Sequence, residues 1–302
     1  MSYANYIQEY HHKIQTGEIV AGKWIKLLYD RIVTGLRDGL FYFDDKKANR
    51  AIRFIETFCH HCEGRNDLIT LELWQKSTVC LMFGIVDENG LRVFREVFMV
   101  MGRKNGKSLF ASAIIAYLAY LDGEYGARVY CLAPKLEQAA IVYDNFYKMM
   151  SREPELADLA KKRRSDIYLE STNSVVKPLA FNAKKSDGFN PHMTVCDEIA
   201  SWPAEQGRKQ YEVMKSALGA RKQPLLLGNQ RGNRRNGLGH GRKTEHSVLF
   251  QGFFGGSVLI AVGLVQQHLA VLQHAKCRAA YLTALNIRTH ARIYKCIEFF
   301  CI

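Results

Sequence analysis

Two short clusters in this 302-residue sequence carry the residue types that phosphoryl chemistry needs. The first is Gly102-Arg-Lys-Asn-Gly-Lys-Ser108, a tight polar turn running into a helix. Backbone N–H groups of such a turn point at an anion, and the positive end of the helix dipole faces the same way. Lys107 would then reach β- and γ-phosphate oxygens, and the Ser108 hydroxyl would hold Mg²⁺. The usual phosphate-loop spacing puts its first glycine at position 101, where this chain has Met. The second cluster is Asp197-Glu198, directly after the apolar run Met193-Thr-Val-Cys196. Asp197 suits a Mg²⁺ shell, and Glu198 suits the orientation or deprotonation of an attacking water. Taken singly, the clusters also read as a surface turn and as a helix N-cap with a dipole-favoured acid. Together they have the makings of one nucleotide-hydrolysing site.

For the two clusters to meet, each must sit at the carboxyl end of a strand in the same sheet, where open α/β sheets bind ligands. The sequence provides for this. Val97 to Met101 reads as a buried strand and Leu109 to Leu118 as a helix packed on a sheet. Arg128 to Ala133 is a strand, Leu136 to Met150 a helix, and Ile167–Leu169 with Val175–Leu179 a hairpin. His192 to Cys196 is a strand, Gln206 to Leu218 a helix, and Pro224 to Leu227 the start of another strand. Such alternation predicts an α/β fold with a mostly parallel sheet covered on both faces. Ahead of it, Ile19–Leu40 and Asp44–Phe58 have helical periodicity, and the apolar run ending at Phe83 is helix or strand. The expected organisation is a helical segment over 1–70, a nucleotide-binding core over 71–227, and a basic tail over 228–302.

Charge marks the tail off. The formal net charge is +13. Residues 1–227 hold 32 Lys/Arg against 27 Asp/Glu, net +5, whereas residues 228–302 hold 10 against 2, net +8. A polyanionic partner suits that excess. Eight cysteines are scattered, several within apolar runs, as small buried hydrophobes are in a reducing cytosol. Cys59-His-His-Cys62 lacks a second ligand pair at zinc spacing. The polar opening, Met1 to Gly17, is no signal peptide. Ser247 to Ala275 is uncharged, but its Gln, His and Gly residues argue against a membrane span.

Over residues 18–227 the sequence resembles the large terminase subunit of tailed bacteriophages, the ATPase that drives DNA into procapsids. The residues that carry this are Gly102–Ser108 as a variant Walker A motif and Val195-Cys-Asp-Glu198 as Walker B. Ala133-Pro134 with Gln138, Asp187-Gly-Phe-Asn-Pro191 and Leu73-Trp-Gln75 are the intervening landmarks. The resemblance implies a P-loop NTPase fold of the RecA-like (ASCE) type, with ATP and Mg²⁺ as nucleotide and cofactor. It implies that Gly102, Arg103, Lys104, Asn105, Gly106, Lys107 and Ser108 wrap the phosphates and that Arg103 senses the γ-phosphate. Asp197 joins Ser108 on the metal, Glu198 is catalytic, and Gln75 reads adenine. Arg221 is either a residue acting in trans on a neighbouring subunit or part of a solvated basic loop. Double-stranded DNA, a portal protein, a small terminase subunit and a homo-oligomeric ring are the implied partners, in the cytoplasm of a bacterial host.

The resemblance stops near Leu227. A Ser/Thr-rich coupling motif and a metal-dependent nuclease would follow in the family. Here the chain reads Gly-Asn-Gln-Arg-Gly-Asn-Arg-Arg, and residues 228–302 hold no Asp and only Glu245 and Glu298. Two-metal cleavage needs clustered carboxylates, so these residues are not expected to cut DNA. The tail is expected to be poorly ordered, and three origins fit it: out-of-frame translation, a basic nucleic-acid-binding arm, or a membrane segment. The first is preferred. An ATPase of a packaging motor is the leading function, and a truncated, non-catalytic prophage remnant with nonspecific nucleic-acid affinity the second.

Overall fold

The computed structural model describes residues 5–101, 105–182, 188–231 and 261–264. Helix α1 (Tyr6–Gln15) starts at Asn5, whose Oδ1 accepts the backbone N–H groups of Ile7 and Gln8. Satisfying those orphan donors is what an Asn N-cap does. Helix α2 (Lys23–Arg37) and the two-residue strand β1 (Tyr42–Phe43) follow. Helix α3 (Asp45–Phe58) is capped by Asp44, which accepts the Lys47 N–H at 2.9 Å. Helix α4 (Leu73–Gly84) then leads into β2 (Ile85–Val86), antiparallel to β1. The run ending at Phe83 is thus a helix. It shows no amphipathic stripe because Ser77 to Gly84 are all buried, and a helix enclosed on every side has no polar face to reveal its period.

The sheet begins at β3 (Glu96–Met101), followed by α5 (Lys107–Tyr120), β4 (Arg128–Ala133) and α6 (Leu136–Met150). A single-turn helix α7 (Pro154–Ala157) precedes β5 (Ala160–Lys162), β6 (Ile167–Leu169) and β7 (Ser174–Ala180). The chain continues through β8 (Met193–Asp197), α8 (Ala204–Ala217), β9 (Leu225–Arg231) and β10 (Ala261–Leu264). Eight strands lie in the order β10-β3-β9-β8-β4-β7-β6-β5. All neighbours pair parallel from β10 to β7, and β6 and β5 continue the edge antiparallel. This is the mostly parallel α/β architecture that the alternation of strands and helices predicts.

Strand parity divides the core in two. Val97, Met99, Val129, Cys131, Met193, Val195, Leu225 and Leu227 face the helices α3, α4, α5 and α6, and the N-terminal helices share this core. Phe98, Tyr130, Leu132, Cys196 and Leu226 face the other way, against Trp202, Tyr211 and Met214. Helix α5 is buried from Phe110 to Tyr120, which its apolar sequence allows on every side. At the amino ends of the strands, Asp122 ties two buried residues together. Arg92 donates to its Oδ1 and His192 bonds its Oδ2, both at 2.8 Å.

The tail expectation is only partly within view. Strand β9 continues to Arg231, and Ala261–Leu264 pair with Phe98–Met101 as a parallel edge strand. Residues 232–260 and 265–302, with most of Ser247–Ala275, lie outside the described residues. No helix among the described residues is long and apolar enough to cross a membrane.

Candidate active site

Strands β3 and β8 end on the same side of the sheet, with β9 between them. Beyond β3 the chain passes through Gly102, Arg103 and Lys104, which lie outside the described residues, to Asn105 and Gly106. Gly106 has φ +71° and is the N-cap of α5. Gly106 has no side chain to cap this helix, and N–H groups at such a helix start suit an anion. Lys107 and Ser108 are its first two residues.

The Lys107 side chain is 12% exposed and crosses to the acid pair. Its Nζ lies 3.6 Å from Asp197 Oδ1 and bonds Glu198 Oε1. The two clusters, separated by some ninety residues of sequence, therefore meet. At 3.6 Å the Asp197 contact is an ion pair and not a hydrogen bond, and Asp197 Oδ1 is a buried oxygen with no hydrogen-bond partner among the described residues. Burial pushes the Asp197 carboxyl above its ordinary range; Lys107 opposes the shift and Glu198 adds to it. An orphaned, partly desolvated carboxylate oxygen beside a second acid is a donor set that fits a hard divalent cation. Ser108 and Asp197 would supply the oxygens.

Glu198 sits in the left-handed region, φ 49° and ψ 44°, where non-glycine residues are uncommon. A 3-10 turn, Ile199–Ser201, follows it. Ser201 Oγ donates to the Glu198 carbonyl at 2.7 Å, and the Trp202 indole N–H donates to the Asp197 carbonyl at 2.9 Å.

One residue at this site has no signal in the sequence. Asn229 on β9 is paired in register with Asp197 on one side and Met99 on the other. It is fully buried, and neither of its amide atoms has a partner among the described residues. By strand parity it lies on the face of the sheet that carries α5, as Asp197 does. Only the pairing of β9 with β8 reveals it.

Two other expected positions look different in place. Gln75 Oε1 accepts the Glu72 N–H at 2.9 Å in a capping box that starts α4. Its neighbour Trp74 packs on Phe110 of α5 with ring centroids 5.8 Å apart, so the start of α4 abuts the helix that begins with Lys107. Arg221 is no solvated loop residue. It donates to Asn190 Oδ1, Glu124 Oε1 and the Gly126 carbonyl, clamping loops at the amino ends of the strands, opposite the acid pair. In the Cys59–Cys62 stretch, Cys62 Sγ donates to the Asn145 carbonyl and His60 bonds Glu153. Among the described residues no cluster of three or more His, Cys, Asp or Glu could hold a metal.

A family model described as the terminase large subunit, ATPase domain, matches residues 73–242. The terminase large subunit of Enterobacteria phage HK97 is 26% identical over 186 residues, covering 60% of this chain and 36% of that protein. The terminase large subunit of Lactococcus phage p2 is 23% identical over 211 residues, covering 67% and 38%. The chain thus spans little more than a third of the length of these curated relatives. The crystal structure of the HK97 bacteriophage large terminase superposes with a TM-score of 0.52 at 24% identity. That match covers 61% of this chain and 37% of that one and concerns the fold. With the family model covering more than half of its residues, the chain belongs to the terminase large subunit family through its ATPase domain.

Proposed function

We propose that the chain is the ATPase part of a phage DNA-packaging motor, binding ATP with Mg²⁺ and hydrolysing it. The observation that carries the reading is the meeting of Lys107 with Asp197 and Glu198 at the carboxyl ends of β3 and β8. Mg²⁺, when bound, neutralises charge on the β- and γ-phosphate oxygens. Ser108 and Asp197 are the residues that would hold it. Lys107 leaves the acids for the phosphate oxygens and offsets charge as it builds up on them. Glu198 accepts the proton of the attacking water through the carboxylate that Lys107 gives up. N–H groups of Lys107 and its neighbours hold the phosphates at the helix start. Arg103 is assigned to the γ-phosphate, Gly102, Lys104, Asn105 and Gly106 to the phosphate wrap, and Gln75 to adenine. Double-stranded DNA, a portal protein, a small terminase subunit and a ring of like subunits are the proposed partners, in the cytoplasm of a bacterial host.

The test is phosphate release from Mg-ATP by wild type, Lys107→Ala and Glu198→Gln. The expected result is hydrolysis that either substitution lowers by about 10²–10³-fold, with Glu198→Gln still binding nucleotide. Hydrolysis insensitive to both would overturn the assignment.

A second reading has its own observation. After Leu227 the chain holds no Asp and only two Glu, as out-of-frame translation in a decayed prophage gene would produce, which would leave a non-catalytic remnant. If the other reading frames of the coding DNA beyond codon 227 encode no coupling motif or nuclease, the frameshift idea falls. An ATP-dependent thermal shift in wild type, absent in Lys107→Ala, speaks against a remnant.

A further inference from the structure

We infer that Trp202 is a positioning residue for the acid pair, its indole N–H fixing the backbone that aims Asp197 and Glu198. The inference rests on the ATPase reading and adds a residue to it. Strand β8 ends at Asp197, and the next residue turns into a left-handed conformation. For a side chain other than glycine this conformation is unfavourable, so it persists only where the surroundings over-determine it.

The over-determination is visible atom by atom. Trp202 Nε1 donates to the Asp197 carbonyl at 2.9 Å. Ser201 donates twice to the Glu198 carbonyl, from Oγ at 2.7 Å and from its backbone N–H at 2.8 Å. Two consecutive carbonyls are therefore each held by a side chain of the turn that follows them. Trp202 cannot drift, because it is fully buried and its ring meets Phe181 edge-on at 4.7 Å. Phe181 directly follows β7, so the acid turn is braced from the far side of β4. Packing alone would be served by any large apolar side chain. The indole N–H adds a direction to the Asp197 peptide, and the Asp197 carboxylate is what meets Lys107. A peptide rotated at this point swings both carboxylates, and misplacement of about 1 Å at a reacting group costs on the order of 10²-fold in rate.

Trp202→Phe keeps the buried ring and removes the N–H, and Ser201→Ala removes an exposed hydroxyl. Both are compared with wild type and Lys107→Ala in kcat for ATP and in Kd for a fluorescent ADP analogue. The expected result is a kcat lowered about tenfold to a hundredfold in Trp202→Phe and less in Ser201→Ala, with Kd changed less than about twofold. Loss of kcat and affinity together, in step with lost folded protein, would reduce Trp202 to a packing residue and overturn the inference, as would full kcat in Trp202→Phe. If Trp202→Phe does not fold, full kcat in Ser201→Ala overturns it. Hydrolysis by wild type that Lys107→Ala abolishes tests the ATPase reading separately. Should wild type hydrolyse nothing, NMR of the indole N–H still decides the contact. Slow exchange, with the Asp197 and Glu198 amide resonances displaced in Trp202→Phe, supports the inference; fast exchange overturns it.

Discussion

Lys107 Nζ stands 3.6 Å from Asp197 Oδ1 and also bonds Glu198, a cation set against two acids across the width of β9. Removing it takes a counter-charge away from two partly buried carboxylates. A divalent cation that can neutralise them should then do more for the variant than for wild type. Lys107→Ala is expected to unfold at a lower temperature than wild type in EDTA. Millimolar Mg²⁺ should close most of the gap without nucleotide. Thermal denaturation with and without Mg²⁺ checks this, and equal Mg²⁺ shifts in both proteins would count against the metal role proposed for Asp197.

Gly106 precedes Lys107 with φ +71°, and no described residue comes within 4 Å of where a Cβ would stand. The left-handed backbone is itself an obstacle to a side chain there. Gly106→Ala is expected to destabilise the chain by about 1–2 kcal/mol and to weaken nucleotide binding as the start of α5 shifts. Urea unfolding and nucleotide titration read the two effects. Gly106→Asn, which tolerates this conformation better, should recover part of the loss.

Gly228 poses the opposite problem. A Cβ there would lie 2.2 Å from the ring of Phe98, its register partner on β3. Phe98 is buried and packed near Tyr211, so the ring has little room to retreat. Gly228→Ala should cost about 1–3 kcal/mol through overpacking. Combining it with Phe98→Leu should cost less than the sum, and a double-mutant cycle in urea measures the coupling.

The buried network at the amino ends of the strands sets a pH dependence. Burial works against the Asp122 carboxylate, yet Arg92 and His192 outweigh it and hold its carboxyl below the ordinary 3.8. A depressed pKa means that the unfolded chain takes up the proton first. The stabilisation is therefore fully present above the ordinary value and is lost as pH falls through the lower, folded one. Asp122→Asn removes that acid-side slope. It also leaves Arg92, 3% exposed, without its counter-charge, at a cost of about 3–5 kcal/mol at neutral pH. Unfolding free energies from pH 2 to 7 for the two proteins test both parts.

Much of the site was legible because its elements are apolar and regular. Val97–Met101, Leu136–Met150 and the run before Asp197 stand out by composition and period, and their ends fall within a residue or so of the observed ones. What escaped depends on partners distant in sequence. Strands β1, β2 and β5 are two or three residues long and exist only through their pairing. Arg221 looks like a loop cation until Asn190, Glu124 and Gly126 are brought to it. Asn229 falls in the stretch where the loss of acids suggested that the fold had ended, yet the register of β9 sets it beside Asp197. Trp202 gives no sign in the sequence that its N–H reaches back five residues to a strand carbonyl.

Helix α5 is walled in from Phe110 onward by the sheet on one side and by α3, α4 and α6 on the other. A rod so enclosed cannot tilt without repacking its whole neighbourhood. The lysine is thus mounted on an anvil, and the turn it faces is itself pinned through Ser201 and Trp202, so any adjustment between them falls to the Lys107 side chain alone.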